Sequence, residues 1–402
     1  MKSIELNDSL NLIATPDFTG VPNLEKLVAK GCINLREVHP SIMAHKKLTL
    51  LNLEGCKNLN SLPSKFEMEH LENLILSDCS KIKRIPEFAR NMERLTKLHL
   101  DGTTITKLPS SIEHLTNLAS LHLRDCKNLV CLPTIICSFK SLKDINVAGC
   151  LKLDNLPQSL LNVESLEELN VSGITFREPP FSIILLKNLK VLSLQGCKAS
   201  SPKLWNKLFS FNLMPRRIPN LVSMLLPSLS CLCFLTRLDI SDCNLQTIPN
   251  DCGCLYSLEV LNLSGNNFDC LPESIIQLSK LKNICLTHCT RLRSLPQLPS
   301  STSVVVAENC TSLETLPNRS TLDKLYPPSL ILSNCFKLAD IQHQSNVFFR
   351  MLSADAQVSL SLSLSLYIYI YIYIIKGKLY KGLVNHSFWE SFYGKLKKLS
   401  KQ

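Results

Sequence analysis

Leucine recurs along this chain at a fixed interval. Aligned on these leucines, the chain divides into units that begin 23 or 24 residues apart, with one interval of 46 residues. The units begin at Leu24, Leu48, Leu71, Leu95, Leu118, Leu142, Leu166, Leu189, Leu235, Leu258 and Leu281, and degenerate copies follow around Val305 and Leu330. Most units read L-x-x-L-x-L-x-x-C-x-x-L-x-x-L-P and continue with S-x-I-x-x-L. A period held over so many copies predicts a repeat architecture.

Within one unit the apolar spacing changes from two residues to three. In "LHLRDCKNL", residues 121–129, the leucines first alternate with polar residues, which predicts a short strand with one buried face. In "LPSSIEHLTNL", residues 108–118, a proline and two candidate hydroxyl caps, Ser110 and Ser111, precede apolar residues three apart. This pattern predicts a helix of one or two turns or a 3₁₀ segment.

A single unit of this kind cannot bury its own leucines, but stacked neighbours can. The sequence therefore predicts an α/β repeat solenoid, a leucine-rich repeat horseshoe followed by an irregular tail. We expect a parallel sheet on the concave side and short helices or 3₁₀ turns on the convex side.

The ninth position of the unit, where the chain turns inward after the strand, is usually cysteine. A small buried thiol with a weak donor suits this slot, and a ladder of reduced thiols indicates an intracellular protein. The exceptions are Thr103, Ile174 and Asn266. The predicted structural ladder consists of Cys32, Cys56, Cys79, Cys126, Cys150, Cys197, Cys243, Cys289, Cys310 and Cys335.

The net charge of +11 is unevenly distributed. Residues 376–402 carry seven lysines and one acidic residue, Glu390, and so contribute +6 of the total. Elsewhere the two signs are interspersed, which indicates a solvated surface and not a nucleic-acid-binding one. The first residues alternate charge with leucine and lack the uninterrupted apolar core of a secretory signal.

Several phrases of the chain resemble one known family. "TPDFTGVPNLEKLVAKGCINLREVHPSI", "LNLEGCKNLNSLP" and "LPSSIEHLTNLASLHLRDCKNL" are similar to the leucine-rich repeats of plant intracellular immune receptors. The cadence "GC-x-N/S-L" and the turn "LP-x-SI" are typical of the subclass with a Toll-type domain and a nucleotide-binding switch. The resemblance covers residues 1–340. It implies a role in sensing pathogen effectors and in holding the switch inactive.

The chain also departs from that family. It contains no G-x-x-x-x-G-K-[ST] phosphate loop and no Toll-type segment. We therefore expect a truncated receptor that uses no nucleotide, metal or other cofactor. Because its first unit has no polar cap, we also expect poor solubility in isolation.

The repeat pattern predicts four regions. Leucine-rich repeats occupy residues 1–197 and 235–341, and residues 198–234 form a degenerate repeat with an insertion loop. That loop contains Trp205 and the pair Arg216 and Arg217, so a partner contact is the alternative interpretation. Residues 342–402 form a low-complexity, basic tail that we do not expect to be a native domain.

The tail contains "SLSLSLSLYIYIYIYI", residues 359–374, followed by Ile375. Simple TC and TA tracts would encode this sequence, so we interpret it as non-coding DNA read as protein. Its period of two favours a strand, and its length also allows an alternative in which residues 358–375 anchor the chain to a membrane.

Few residues suggest catalysis. Two cysteine pairs, Cys231 with Cys233 and Cys252 with Cys254, have spacings that suggest zinc, but alignment places Cys252 at a buried position and Cys254 at an exposed one. His288 next to Cys289 suggests an activated thiol, but Cys289 belongs to the ladder. We expect both features to be structural and the protein to be non-enzymatic.

Polar residues on the predicted concave face favour a binding function. Neighbouring strands would stack charged groups of both signs into one surface, which suits a protein partner. The candidate contact residues are Lys97, His99, Asp101, His122, Arg124, Arg237 and Asp239.

The sequence thus predicts a recognition scaffold in plant innate immunity, in the cytoplasm or the nucleus. Its expected partners are a pathogen effector, a host target or the nucleotide-binding domain of the same receptor class. A stand-alone adaptor such as a ubiquitin-ligase substrate receptor is the main alternative, although no helical recruitment motif is evident. A cell-surface receptor would need a signal peptide.

Overall fold

Each repeat adds one short strand to a single parallel sheet. The computed structural model describes residues 1–157, 160, 163–177, 181–199, 222, 225–226, 229–316 and 330–338. The strands in chain order are β1 (Ser3–Glu5), β2 (Lys26–Val28), β3 (Leu50–Asn52), β4 (Lys65–Phe66), β5 (Asn73–Ile75), β6 (Glu87–Phe88), β7 (Lys97–His99), β8 (Ser120–His122), β9 (Asp144–Asn146), β10 (Glu168–Asn170), β11 (Thr175–Phe176), β12 (Val191–Ser193), β13 (Lys198–Ala199), β14 (Arg237–Asp239), β15 (Val260–Asn262), β16 (Asn283–Cys285), β17 (Val304–Val306) and β18 (Leu330–Ile331). Fourteen of them form the main sheet in the order β1-β2-β3-β5-β7-β8-β9-β10-β12-β14-β15-β16-β17-β18. The predicted leucine-rich repeat solenoid is confirmed.

The register of the sheet aligns equivalent residues of successive repeats. Leu74 pairs with Leu98, and Leu98 pairs with Leu121, so the middle residue of each strand points into the core beside its counterparts. These leucines are fully buried. Burial of one such side chain contributes about 1.5–3 kcal/mol, which a lone unit with exposed flanks could not obtain.

The residue just before the cysteine slot adopts a left-handed backbone in every described repeat. The φ angles there lie between 55° and 76°, as at Gly31, Gly102 and Asp125. Glycine, aspartate and asparagine tolerate this conformation best, which explains the "GC" and "DC" phrases of the sequence. His288 is the one described exception in residue type.

The side opposite the sheet consists of 3₁₀ turns and short extended segments. The turns are Pro40–Ala44, Ser110–His114, Thr134–Ser138, Phe181–Leu185, Asn250–Cys254 and Glu273–Gln277. In other repeats the same region is extended, and β4 pairs with β6 and β11 with β13. We call this side of the solenoid the convex side.

The predicted hydroxyl cap of the segment at residues 110–114 is wrong. Pro109 is the N-terminal capping residue, and no side chain caps the turn. The Ser111 hydroxyl instead accepts a hydrogen bond from the backbone N–H of Phe88 in the preceding repeat, at 2.8 Å. A 3₁₀ turn of five residues has few free N–H groups, so the serine links neighbouring repeats instead.

Between Leu189 and Leu235, the described residues contribute only strand β12 to the main sheet, although this interval has the length of two repeats. Strand β12 pairs directly with β14, and Val191 lies opposite Arg237. Regular convex geometry is present again at Leu229, since the N–H of Leu232 donates to the carbonyl of Leu229 and the N–H of Leu235 to that of Leu232.

Internal contacts divide the chain into two units, Met1–Leu338 and Ala339–Gln402. The second unit, which includes the Ser-Leu and Tyr-Ile run, lies outside the described residues, as do Trp205, Arg216 and Arg217. Within the described residues, no helix has the length and apolar character needed to cross a membrane.

Candidate recognition surface

The side of the main sheet that faces away from the leucine core carries the polar strand residues. We call it the sheet face. Lys97 and His99 project from β7, His122 from β8, and Asp101 and Arg124 follow these two strands. Arg237 and Asp239 belong to β14, which three strands separate from β8. The structure therefore brings the first five predicted residues together and places the other two in a second group.

The centre of the first group is a stacked pair of histidines. The rings of His99 and His122 lie 4.2 Å apart between centroids and are inclined by only 7°. His122 Nε2 lies 2.5 Å from a carboxylate oxygen of Asp144 on β9. The same oxygen accepts a hydrogen bond from the hydroxyl of Ser120 at 2.9 Å. Strands β7, β8 and β9 are thus joined through side chains as well as through the backbone.

A second carboxylate faces the other side of the imidazole. Asp101 Oδ2 lies 3.9 Å from His122 Nδ1, and Asp101 Oδ1 accepts a hydrogen bond from the backbone N–H of Arg124 at 2.7 Å. His122, Asp101 and Asp144 expose only 14%, 17% and 16% of their side chains. Little water therefore screens these charges.

The two stacked histidines differ in their affinity for a proton. Burial, and then the positive charge of His122, lower the pKa of His99 to about 4. Burial also opposes protonation of His122, but the hydrogen bond to Asp144 and the charges of Asp144 and Asp101 outweigh it and raise the pKa of His122. At neutral pH the neutral ring of His99 therefore packs on a ring that binds its proton more strongly.

The second group surrounds Asp239. Its Oδ1 accepts hydrogen bonds from the backbone N–H and the hydroxyl of Ser241, and its Oδ2 accepts one from Asn262. Burial raises the pKa of Asp239 despite these donors. Arg237 is half-buried in the first position of the same strand.

Sequence reasoning missed the acidic residues between these two groups. Asp144 and Glu168 occupy the position equivalent to Ser120 on the next two strands, and Glu168 pairs with Asp144 in the register. Burial and the charge of Asp144 raise the pKa of Glu168. The repeat alignment already placed Asp144 beside Ser120, so aligning every strand would have found it.

All ten predicted ladder cysteines are buried. Each thiol donates to a backbone carbonyl of the preceding repeat, as Cys150 does to Leu123 at 3.0 Å. The ten sulfur–oxygen distances lie between 2.9 and 3.3 Å. Burial raises the pKa of Cys56 to about 12 and the pKa values of Cys126 and Cys289 to about 11.

Asparagine in the same slot makes more bonds than cysteine. The amide of Asn266 donates to the carbonyls of Ile240 and Leu263, at 2.9 and 2.7 Å, and its oxygen accepts from the N–H of Leu245. In repeats with cysteine at this slot, one weak thiol donor therefore stands in place of the three hydrogen bonds that the asparagine side chain makes.

The candidate metal and thiol sites do not assemble among the described residues. No group of three or more histidine, cysteine or acidic side chains has a geometry that could hold a metal ion. Cys252 is buried as predicted, whereas Cys254 is half-buried and not exposed, because its turn packs against the turn of the next repeat. An activated thiol has a lowered pKa, whereas burial raises the pKa of Cys289.

Comparison with known proteins agrees with the repeat pattern. A leucine-rich repeat family model matches residues 234–292. The TMV resistance protein N of Nicotiana glutinosa is 38% identical over 301 residues, which are 74% of this chain and 25% of that protein. The disease resistance-like protein DSC1 of Arabidopsis thaliana is 44% identical over 115 residues, 28% of this chain and 9% of that protein.

The chain is a leucine-rich repeat protein related to plant disease resistance proteins. It spans about a quarter of the length of resistance protein N. Among solved structures, the functional domain of InlJ from Listeria monocytogenes aligns with 81% of this chain and 70% of its own, at 14% identity and a TM-score of 0.48.

Proposed function

We propose that the sheet face is a non-enzymatic surface for recognition of a protein partner in plant innate immunity. The partner is a pathogen effector, a host target or the nucleotide-binding region of a receptor of the same class. Contact with that region would hold the nucleotide-binding switch inactive, and this role places the protein in the cytoplasm or the nucleus.

The observation that supports this proposal most is the arrangement of acidic and basic side chains on neighbouring strands of the sheet face, where Asp101 and Asp144 flank His122. Burial raises the pKa of Asp101, Glu168 and Asp239, so the folded protein holds these carboxylates in an environment that disfavours their charge. A partner that supplies donors or cations there would relieve this cost. The relatives named disease resistance proteins add the biological setting.

A binding assay with charge-reversed variants tests the proposal. The immobilised chain is presented with effectors matched to the host and with the nucleotide-binding region of a receptor of this class, and binding is measured by biolayer interferometry. For a retained partner, the double substitution Lys97→Glu and Arg237→Glu should weaken binding by about tenfold or more, because both cations lie on the sheet face.

A matched control is available away from the sheet face. Lys140 and Lys187 are exposed between the end of a 3₁₀ turn and the next strand, and their reversal to glutamate changes the net charge by the same amount. We expect this control to bind like the unaltered chain. Equal losses in both variants, or no retained partner for a correctly folded chain, would contradict the proposal.

A further inference from the structure

Stacking of the repeats gathers basic residues that are dispersed in the sequence. After the cysteine slot, the chain runs along one lateral side of the solenoid before it reaches the convex side. In the repeats of β3, β5, β7 and β8 these lateral segments read "KNLNS", "SKIKR", "TITK" and "KNLVC". They contain six basic residues and no acidic one. We call this group the basic lateral patch: Lys57, Lys81, Lys83, Arg84, Lys107 and Lys127.

Backbone and side-chain bonds connect the four lateral segments directly. The hydroxyl of Ser80 donates to the carbonyl of Lys57, and the N–H of Thr104 donates to the carbonyl of Ile82. The N–H of Val130 in turn donates to the carbonyl of Thr106. Strand spacing sets adjacent repeats about 5 Å apart at the sheet, so the six cations share one continuous surface.

The charge of this patch is not compensated within the described part of the chain. All six side chains are exposed, and none lies within 4.0 Å of a described carboxylate. The neighbouring acidic groups are directed elsewhere. Asp125 pairs with Arg124, and Asp78 leans toward the backbone of Gly102 in the next repeat.

The same lateral side is balanced in later repeats. There the equivalent segments include Asp269 and Glu314, and Arg291 forms an ion pair with Asp269 at 3.1 Å. The charge is therefore a property of four repeats and not of the lateral side in general.

Exposed aliphatic side chains flank the patch on this side. Leu10, Ile13 and Ile33 precede it, with exposures of 53%, 59% and 39%, and Val130 and Leu151 follow it, with 53% and 62%. Leu10, Ile33 and Leu151 occupy one repeat position, which is that of Lys57 and Lys127. Along this row of the solenoid, the aliphatic residues therefore lie at the two ends, and Lys57 and Lys127 lie between them.

This composition distinguishes among anionic partners. Single-stranded nucleic acids are bound through aromatic stacking, and the four segments contain no aromatic residue. Protein interfaces are depleted in lysine and enriched in tyrosine and tryptophan, whereas five of these six cations are lysine. Anionic lipid headgroups attract clusters of four to eight basic residues, and apolar side chains beside such a cluster can enter the headgroup boundary.

We propose that the basic lateral patch binds the surface of an anionic lipid membrane, with the flanking aliphatic residues inserted at the headgroup boundary. The patch and the sheet face occupy different sides of each repeat. The chain therefore remains able to present its sheet face to a protein while it lies on a membrane.

Flotation with lipid vesicles tests this proposal. The full-length chain is mixed with vesicles of phosphatidylcholine alone or with one third phosphatidylserine, and the bound fraction gives the partition coefficient. The triple substitution Lys81→Gln, Lys83→Gln and Arg84→Gln should lower partitioning onto the anionic vesicles by about tenfold or more, since each basic residue near such a surface contributes about fivefold. Higher salt should reduce binding of the unaltered chain.

Two controls separate the patch from other sources of charge. The triple Lys140→Gln, Lys187→Gln and Lys280→Gln removes the same charge from exposed positions between a convex turn and the next strand, and should bind normally. Because residues 376–402 hold seven further lysines, every comparison is repeated with those seven replaced by glutamine. The loss caused by the patch variant should persist in that background.

Three results would overturn the proposal. They are equal partitioning onto neutral and anionic vesicles, equal losses in the patch and control variants, and binding that disappears entirely with the seven tail lysines. Tighter binding to polyglutamate than to anionic vesicles would instead assign the patch to an acidic protein. Circular dichroism of each variant establishes that the fold is intact.

Discussion

At the scale of single residues, burial decides the chemistry of this protein. The charged centre of the sheet face depends on Asp144, which holds the proton of His122 by a hydrogen bond of 2.5 Å. The neighbouring His99 instead has its Nε2 atom 3.4 Å from the hydroxyl of Ser120 and is kept neutral by the same burial.

Substitution of Asp144 by asparagine should lower the pKa of His122. The hydrogen bond and the negative charge would be lost, and burial, which already opposes protonation, would prevail. NMR titration of the imidazole signals measures this change. The exposed Asp251→Asn variant serves as a control and should leave the titration of His122 unaltered.

The two histidines should also affect stability in opposite pH ranges. The pKa of His122 is raised on folding, so its contribution is complete below about pH 6.5 and is lost as the pH rises through the raised value. The pKa of His99 is lowered to about 4, so stability falls as the pH drops from about 6.5 toward 4. Urea denaturation at several pH values measures the free energy of unfolding. His99→Gln should remove the decrease in this free energy that His99 causes between about pH 6.5 and 4. An unchanged decrease in the variant would contradict this assignment.

The cysteines should divide sharply by reactivity. Cys131, Cys231, Cys233 and Cys270 are exposed, whereas the ladder thiols are buried, and burial raises the pKa of ladder members such as Cys56 and Cys126. Thiolate is the reactive form, so a thiol reagent at pH 8 should modify the exposed group first and the ladder only after unfolding. Mass spectrometry of the labelled peptides measures the order. Early modification of Cys56 or Cys150 would contradict the buried ladder.

At the scale of the element, the repeat unit is a strand, a left-handed residue and a tight convex turn. The sequence predicted the strand and the turn from the apolar spacing, and both are present. It did not predict that Ser111 would bond the preceding repeat, because a hydroxyl after proline has the same sequence signature in either role. Nor did it distinguish repeats with a 3₁₀ turn from repeats with an extended segment such as β4 or β6. Packing between neighbouring repeats determines which of these two conformations the segment adopts.

Removal of Asn266 should cost more than removal of Cys289. Asn266→Ala leaves two carbonyls and one N–H buried without their partner, at about 1–3 kcal/mol for each unsatisfied group. Cys289→Ala removes only one weak donor and a small volume. Urea midpoints of the two variants provide the comparison. A larger loss for Cys289→Ala would show that sulfur packing, and not hydrogen bonding, dominates this slot.

Close packing of two convex turns should make Gly253 intolerant of a side chain. A Cβ atom there would lie 2.6 Å from the backbone carbonyl oxygen of Ser274, which cannot move without displacing its turn. We expect Gly253→Ala to reduce the free energy of unfolding by about 1–3 kcal/mol. Gly20→Ala, which has no atom within 4 Å, is the matched control and should not be destabilised. Equal stability of the two variants would contradict the packing of these turns.

At the scale of the whole molecule, a one-dimensional sequence pattern becomes a set of continuous surfaces. The period predicted the sheet, its register and the buried leucines, since each repeat packs mainly on its neighbours. It did not reveal the basic lateral patch, because Lys57, Lys107 and Lys127 look isolated along the chain. Only the bonds between lateral segments show that they are neighbours. Asp144 and Glu168 differ in this respect, because alignment of the repeats alone places them beside Ser120.

The central claim is that a protein partner contacts the sheet face. Hydroxyl-radical footprinting of the chain, alone and bound to a partner retained in the binding assay, tests it most directly. We expect protection of Lys97, His99 and Arg237 on the sheet face, and unchanged labelling of the exposed Tyr256 and Ile276 away from it. Protection confined to Tyr256 and Ile276, with the sheet face still fully labelled, would contradict the account.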